Sequence, residues 1–273
     1  MGVDAARLRK EGLYEAQAPL QALAGDFDVI ERLAMTWRKD RKHLHIAAWI
    51  SIVLGIACIF LSIAAGLTII AGAITIFLIA RRHGRAVVLN ASRCGPAKAL
   101  GVMLANDASG QAPVNVRLAF DAKRELLSEQ EWPARKKGKQ KFFRASWFSL
   151  ETKLLDGTQF SETIEDLIRQ RSYVNPRGKS KTKTRTRNMV TQRFVYPSEL
   201  YGNARGLGTW LQNEIKLPAS ATLQSLKVDE KQVRAKALVK QGSDLANASS
   251  MLALGVYRAL NLSRRRPKGP QQQ

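Results

Sequence analysis

Residues 44–80 form an apolar run of 37 positions without a single Asp, Glu, Lys or Arg. One helix crosses a bilayer core of about 30 Å in about 20 residues, so the run is too long for one upright span and fits two short crossings. Arg38, Lys39, Arg41 and Lys42 precede it, and Arg81, Arg82 and Arg85 follow it. Basic flanks stay cytoplasmic, so positive charge at both edges predicts a multi-pass hairpin with both termini in the cytoplasm, turning near residues 62–66. Ser51, Gly55, Cys58 and Ser62 recur at helical spacing in the first half, as do Ala65, Thr68, Gly72 and Thr75 in the second. Small residues let helices approach closely in lipid, where the hydrophobic effect does not separate helix from acyl chain, so these stripes are expected to form the contact. Each arm, about 16 residues, is short for a span, and snorkelling by Arg81 and Arg82 absorbs the mismatch. A re-entrant hairpin and one strongly tilted helix fit the same run.

Before the run, Asp26 is placed to cap a helix through Val29, Leu33 and Trp37 that continues into the first crossing. Leu8, Leu13, Tyr14 and Leu20 suggest a further helical piece interrupted at Pro19, packing against the carboxy-terminal part. After the run, Pro96 opens a short helix to about Asn106 with Leu100, Met103 and Leu104 on one side, and the bilayer surface is open to it. The pattern then changes to period two. Val114, Val116, Leu118 and Phe120 alternate with polar or small residues, as in a half-buried strand.

Following a linker at 133–138, residues 139–155 and 158–174 flank Asp156-Gly157, predicted as a two-residue hairpin turn. A second turn at 175–178 leads into a third strand, 179–196, completing an antiparallel meander. Phe148, Leu150 and Leu154 fall on one face and Trp147, Phe160 and Ile164 on the other, so either both faces are covered or a bulge intervenes. Residues 198–215 look helical although Gly206 and Gly208 weaken the middle, and 223–228 with 233–239 read as a strand pair. Ser243 is placed to cap a last helix carrying Leu245, Ala248, Leu252, Val256 and Ala259. Asn247, Arg258 and Asn261 make it a costly third crossing and point to an interfacial or partner-packed helix.

The fold class expected is an α+β membrane protein, a transmembrane α-helical hairpin plus an antiparallel β-meander domain with flanking helices. Its parts are a helical cytoplasmic segment (1–43), the hairpin (44–80), a juxtamembrane helix and linker (81–111), a basic β domain (112–197), an α/β carboxy-terminal part (198–262) and a disordered basic tail (263–273).

Composition sharpens the partner. Among 273 residues, 44 Lys and Arg stand against 22 Asp and Glu, a formal charge of +22 that attracts phosphate-rich surfaces, either anionic lipid or nucleic acid. Cys58 and Cys94, the only two cysteines, exclude a disulfide framework and a four-ligand zinc site. The charged first 43 residues do not read as a cleaved signal, and Ala6 stands where a myristoylation signal has Ser or Thr.

The most regular feature outside the apolar run is a ladder. Lys179, Lys181, Lys183, Arg185 and Arg187 alternate with Ser180, Thr182, Thr184 and Thr186, so a strand places all five cations on one face. A second basic stretch, 135–144, contains Lys136, Lys137, Lys139 and Lys141, and the two stretches are expected at one end of the sheet. Like charges in a row repel, so counter-charges are needed, with Glu162, Glu165 and Asp166 as candidates; otherwise the ladder faces water or a phosphate-bearing partner. A solvated edge, a lipid-binding face and a nucleic-acid face compete. The last lacks the interleaved aromatics that stack bases, since Phe194 and Tyr196 come only after the ladder.

The case for an enzyme is thin. His43, His45 and His83 border the apolar run without an Asp, Glu or Cys partner at metal-site spacing, and no phosphate-binding glycine loop, GxSxG elbow or HExxH is present. Neither a metal nor a cofactor is expected. The residues favour a non-catalytic membrane scaffold or recruitment protein whose basic domain contacts anionic head groups or an acidic protein partner, with self-association compatible. Alternatives are a channel or transport component assembled from hairpins and a membrane-tethered nucleic-acid binder.

Overall fold

The computed structural model describes residues 2–82, 84–105, 107–108, 113–131, 138–174, 179–201, 208–242, 244–262 and 264. The fold is α+β: an antiparallel sheet covered on one face by helices, with two long apolar helices extending from it.

Helix α1 (Ala5–Glu11) is capped by Asp4, whose Oδ1 accepts from the backbone N–H of Ala6 and Arg7, both at 3.0 Å. Gly12, at φ +63°, ends it and turns the chain into strand β1 (Leu13–Ala18). The helical reading of residues 13–18 is therefore corrected. They pair antiparallel with β2 (Val114–Ala119), because Leu13 to Ala18 alternate well enough to extend an existing sheet edge. The amino-terminal segment consequently belongs to the same body as the residues that follow the apolar run.

Helix α2 spans Leu20–Ile59, and its first half buries Leu20, Leu23, Phe27, Ile30, Ala34 and Trp37 at spacings of three and four. It starts at Pro19 rather than at Asp26, which lies inside the helix and accepts from the Tyr14 hydroxyl at 2.7 Å. Helix α3 (Ile63–Arg82) returns antiparallel, with the turn at Phe60, Leu61 and Ser62. Both helices are long and apolar enough to cross a membrane by length and composition. Their outer faces expose Trp49, Ile50, Val53, Leu54, Leu67 and Ile74.

The contact between them differs from the expected stripes. Gly55 is buried and Ser51 and Cys58 half-buried, but Ser62 lies exposed in the turn, and Ala65, Thr68, Gly72 and Thr75 are all exposed. The buried residues are Ala48 and Gly55 on α2 and Gly66, Ala73 and Ala80 on α3. Sevenfold spacing keeps one seam facing the partner along a slightly supercoiled pair, and helical spacing alone did not select it. Gly55 and Gly66 set the closest approach, since a Cβ at Gly66 would lie 2.7 Å from the Gly55 carbonyl oxygen. The Thr68 and Thr75 hydroxyls donate back to the carbonyls of Ala64 and Ala71, at 2.9 and 3.0 Å.

Helix α4 (Arg85–Asn90), a 3-10 turn (Ala91–Arg93) and helix α5 (Cys94–Leu104) lead back to the sheet. Gly84 adopts φ +53°, and a Cβ there would lie 2.5 Å from Trp37 Cε3. Gly84→Ala is expected to destabilise the fold by about 2 kcal/mol through left-handed backbone strain and overpacking against Trp37. The thermal midpoint of the full chain in detergent micelles checks this, and an unchanged midpoint refutes it. Helix α5 buries Cys94, Pro96, Ala97, Leu100 and Leu104 and packs on α2, so it is a core helix rather than a surface one.

Strands β3 (Glu125–Glu131), β4 (Gly138–Lys153), β5 (Gln159–Val174) and β6 (Ser180–Val195) form the centre of the sheet. After the short helices α6 (Ser198–Tyr201) and α7 (Gly208–Glu214), strands β7 (Ala221–Val228) and β8 (Gln232–Lys240) complete it in the order β1-β2-β4-β5-β6-β8-β7. Strand β3 pairs with the first half of β4, beside β2 on the same edge. A bulge at Trp147, between Ser146 and Phe148, reconciles the mixed alternation: Phe148 pairs with Ile164 and Thr152 with Phe160, which puts Phe148, Leu150, Phe160 and Ile164 on one face.

The β4–β5 turn has three residues rather than two. Leu154 and Thr158 flank it, Gly157 N–H donates to Leu154 O at 3.0 Å, and Gly157 takes φ +84°. Helix α8 (Leu245–Leu262) packs Ala248, Ser249, Leu252 and Val256 into the core against α5, β6 and β8. It is partnered within the chain. Asp244 caps it by accepting from Asn247 N–H at 3.0 Å, whereas Ser243 lies outside the described residues, as do the turn 175–178, most of the linker 133–138 and tail residues 265–273.

Candidate functional site

The β5–β6 register decides where the ladder lies. Arg187 pairs with Leu167, Arg185 with Arg169, Lys183 with Arg171 and Lys181 with Tyr173. Alternation puts these side chains on the face opposite the helices, while Thr182, Thr184 and Thr186 point to the helix side. Lys179 immediately precedes β6.

The ladder is wider than the sequence suggested, because Arg169 and Arg171 face its rungs from β5. Strand β8 pairs with β6 only from Arg187 onward, so residues 180–186 have β5 as their single strand neighbour among the described residues. Among the described residues no ion pair reaches Lys181, Lys183, Arg185, Arg187 or Arg169. Lys183 Nζ lies 6.0 Å from the Tyr173 ring centre. The Arg169 pKa is lowered, first by desolvation and then by the like charges of Arg171, Arg185 and Arg187. At Arg169, Lys183, Arg185 and Arg187 the strand pairing holds like charges side by side, with no ion pair to them among the described residues.

The second basic stretch behaves differently. Lys139 and Lys141 project from the other face of β4, where β3 meets them: Lys139 pairs with Glu129 and Glu131 at 3.6 and 3.3 Å, and Lys141 with Glu129 at 3.1 Å. Glu125 takes Arg144 at 2.9 Å. Lys139 and Lys141 share the ladder's end of the sheet but not its face, whereas Arg144, in register with Leu167 and Arg187, lies on the ladder face. Lys136 and Lys137 lie outside the described residues.

The acids proposed as counter-charges serve elsewhere. Glu165 shares the ladder face but pairs across from Met189. Asp166 lies on the helix side and joins Arg93 at 2.7 Å, Trp147 Nε1 at 3.0 Å and Asn188 Nδ2 at 2.7 Å. Arg93 stacks over the Trp147 ring at 5.0 Å and donates to Ala119 O at 2.8 Å and Phe120 O at 3.2 Å. These groups line a cavity of about 470 Å³ that opens between α5 and the start of α8.

Glu162 is buried beneath α8. Its carboxyl oxygens lie 2.7 and 2.8 Å from Ser249 Oγ, and Gln192 Nε2 donates to one of them at 2.6 Å. Burial pushes its pKa up to about 7, against hydrogen bonds that favour the charged form. The cluster is sealed in the core.

Cys94 is also buried, and desolvation pushes its thiol up to about 12, away from nucleophilic use. His45 packs edge-on against Phe77 at 5.1 Å, and His83 lies outside the described residues. Among the described residues no three His, Cys, Asp or Glu side chains are grouped to hold a metal ion. The arrangement that stands out chemically is a cationic sheet face, on which Lys181, Lys183, Arg185 and Arg187 form no ion pair among the described residues, together with an apolar helical pair. No family model matches the chain, nor does any curated protein or solved structure match it significantly.

Proposed function

We propose that this chain is an integral membrane protein, crossing twice through α2 and α3, with both termini and the sheet body on the cytoplasmic side. It acts without catalysis as a scaffold or recruitment platform whose cationic sheet face contacts anionic head groups. The observation that supports this reading is the pairing of an apolar, outward-exposed helical hairpin with the ladder cations Lys181, Lys183, Arg185 and Arg187, to which no ion pair forms among the described residues.

Chain direction supports it. Helix α2 passes Lys98 on α5 through Asp28 and Glu31, both at 2.6 Å, and then runs on past the level of Arg93 toward its apolar half. Strand β5 passes Asp166, the partner of Arg93, on its way to Arg169 and Arg171. From Arg93 the chain runs back through Lys98 to Asp107, whose carbonyl accepts from Leu155 N–H just before β5, so α2 and β5 both run opposite to α5 and the apolar half of α2 and the cationic half of the β5–β6 hairpin extend to the same side of that ion pair. The ladder then lies on the side of the body that faces the adjoining leaflet, whose head groups attract cations over about a Debye length, about 8 Å at physiological salt.

Two measurements test the reading. The full chain should stay with membranes through alkaline carbonate, and terminal tags should both label from the cytoplasmic side. Reconstituted into nanodiscs, Lys181 and Lys183 should react more slowly with an amine reagent in anionic than in neutral lipid, with the difference erased by high salt. Extraction by carbonate removes the membrane reading. Equal labelling in both lipids removes the head-group contact and returns an acidic protein as the partner to seek.

A further inference from the structure

A second cationic feature lies at the junction of the hairpin and the sheet body. Four segments distant in sequence converge there: the end of α1, the last turn of α3, helix α4 and the segment after β2. They enclose a cavity of about 800 Å³ lined by Arg9, Lys10, Arg81, Arg82, Arg85 and Arg124. Among the described residues two carboxylates, Glu11 and Asp121, share the lining, and Glu11 is engaged by Arg7 at 3.0 Å. Among the described residues no ion pair forms to Lys10, Arg81, Arg82, Arg85 or Arg124. Arg9 is held in place, its guanidinium 5.2 Å from the ring centre of the buried Trp37.

Apolar side chains flank the cations, one from α3 and one from α4. Leu78 and Leu89 line the cavity and are 53% and 63% exposed, and Leu78 continues an exposed α3 stripe through Ile74 to Leu67. A free anion would use the cations and leave that stripe bare. A molecule with a phosphate head and acyl chains uses both.

We infer that this cavity is a binding site for one anionic phospholipid, its phosphate held by Arg82, Arg85 and Arg124 and its chains laid along Leu78 and Ile74. The site rests on the membrane reading above and is separate from the ladder, which lies on the outer face of the distal β5–β6 hairpin. It gives the hairpin a fixed lipid at its base, where the short apolar arms meet the head groups.

The test is native mass spectrometry of the intact chain in mild detergent, offered phosphatidylglycerol or phosphatidylcholine. The wild type should retain one phosphatidylglycerol in preference to phosphatidylcholine. Neutralising Arg82, Arg85 and Arg124 to Gln should weaken that retention about a hundredfold, as expected for three basic contacts to an anionic head group. A Lys10→Gln/Arg124→Gln variant, which leaves the hairpin untouched, should weaken it about tenfold or more. Lys183→Gln/Arg185→Gln/Arg187→Gln should retain the lipid as the wild type does. Equal retention of both lipids, or full retention by the Arg82/Arg85/Arg124 variant, overturns the site. Displacement by millimolar inorganic phosphate reassigns the cations to a free anion and overturns the lipid assignment. Loss of selectivity in a carbonate-resistant chain sinks the cavity alone, whereas carbonate extraction sinks the membrane reading with it.

Discussion

Asp166→Ala is expected to destabilise the sheet body by about 3–5 kcal/mol, because it leaves Arg93 charged and desolvated with no counter-ion. Arg93 and Asp166 side chains are each only 15% exposed, and burial lowers the Arg93 pKa while Asp166 raises it. Two backbone carbonyls, those of Ala119 and Phe120, still accept from Arg93 in the variant, but carbonyls do not neutralise it. Trp147 Nε1 and Asn188 Nδ2 lose their acceptor at the same time. Asp166→Asn should lose less, since its amide oxygen still accepts from one of them. Combining Asp166→Leu with Arg93→Met should recover the part of the loss that comes from the unpaired charge, but not the part from Trp147 Nε1 and Asn188 Nδ2, which still lack their acceptor. Denaturant unfolding in micelles, followed by tryptophan fluorescence, measures each arm of the cycle. A single-variant loss below about 1 kcal/mol would show that water screens the pair as it does a surface ion pair.

Asp166 also shows where sequence reading stopped. As one of three acids on the strand before the ladder it looked like a counter-charge, yet period two puts it on the helix side, one residue out of phase with Glu165. The sequence could place the ladder on one face but could not say which partner strand faced it or which face the helices cover. Arg169 and Arg171 were visible all along; their juxtaposition to Arg185 and Lys183 needed the register. Strand β3 went unseen because its sequence, Glu125–Glu131, is charged and wholly exposed, so no hydrophobic alternation announced it. It nevertheless decides which basic stretch is neutralised. Strands β2, β4, β5, β6 and β8 were legible because each buries a periodic apolar set or flanks a glycine turn, with Gly157 the strongest local signal, and β7 because its half-buried Leu223, Leu226 and Val228 precede a polar turn. The seam between α2 and α3 was not, since every face of those helices is apolar and composition does not rank Gly66 above Gly72. The junction cavity escaped for another reason: its arginines read as helix-end anchors until Arg9 and Arg124 arrived from elsewhere in the chain.

The stability of the wild-type chain should carry a pH term from Glu162 that runs against the usual carboxylate trend. Its folded pKa is raised to about 7 from an ordinary 4.5, so the folded state holds a proton that the unfolded state releases more readily. The contribution is full below about pH 4.5 and is lost as pH rises toward 7, a fall of about 3 kcal/mol. Acids held by cations, such as Asp28 with its pKa lowered by Lys98, slope the other way and mask it in the raw curve. Subtraction exposes it. Glu162→Gln keeps the shape and can still bond Ser249, but it cannot ionise, and the other acids contribute equally to both proteins. The stability difference, variant minus wild type, should therefore rise by about 3 kcal/mol between pH 4.5 and pH 8 and then level off. Glu162→Ala should behave otherwise, losing stability at both ends because Gln192 and Ser249, each buried, lose their shared partner. Parallel pH curves for wild type and Glu162→Gln would mean that Glu162 titrates normally and that water reaches it beneath α8.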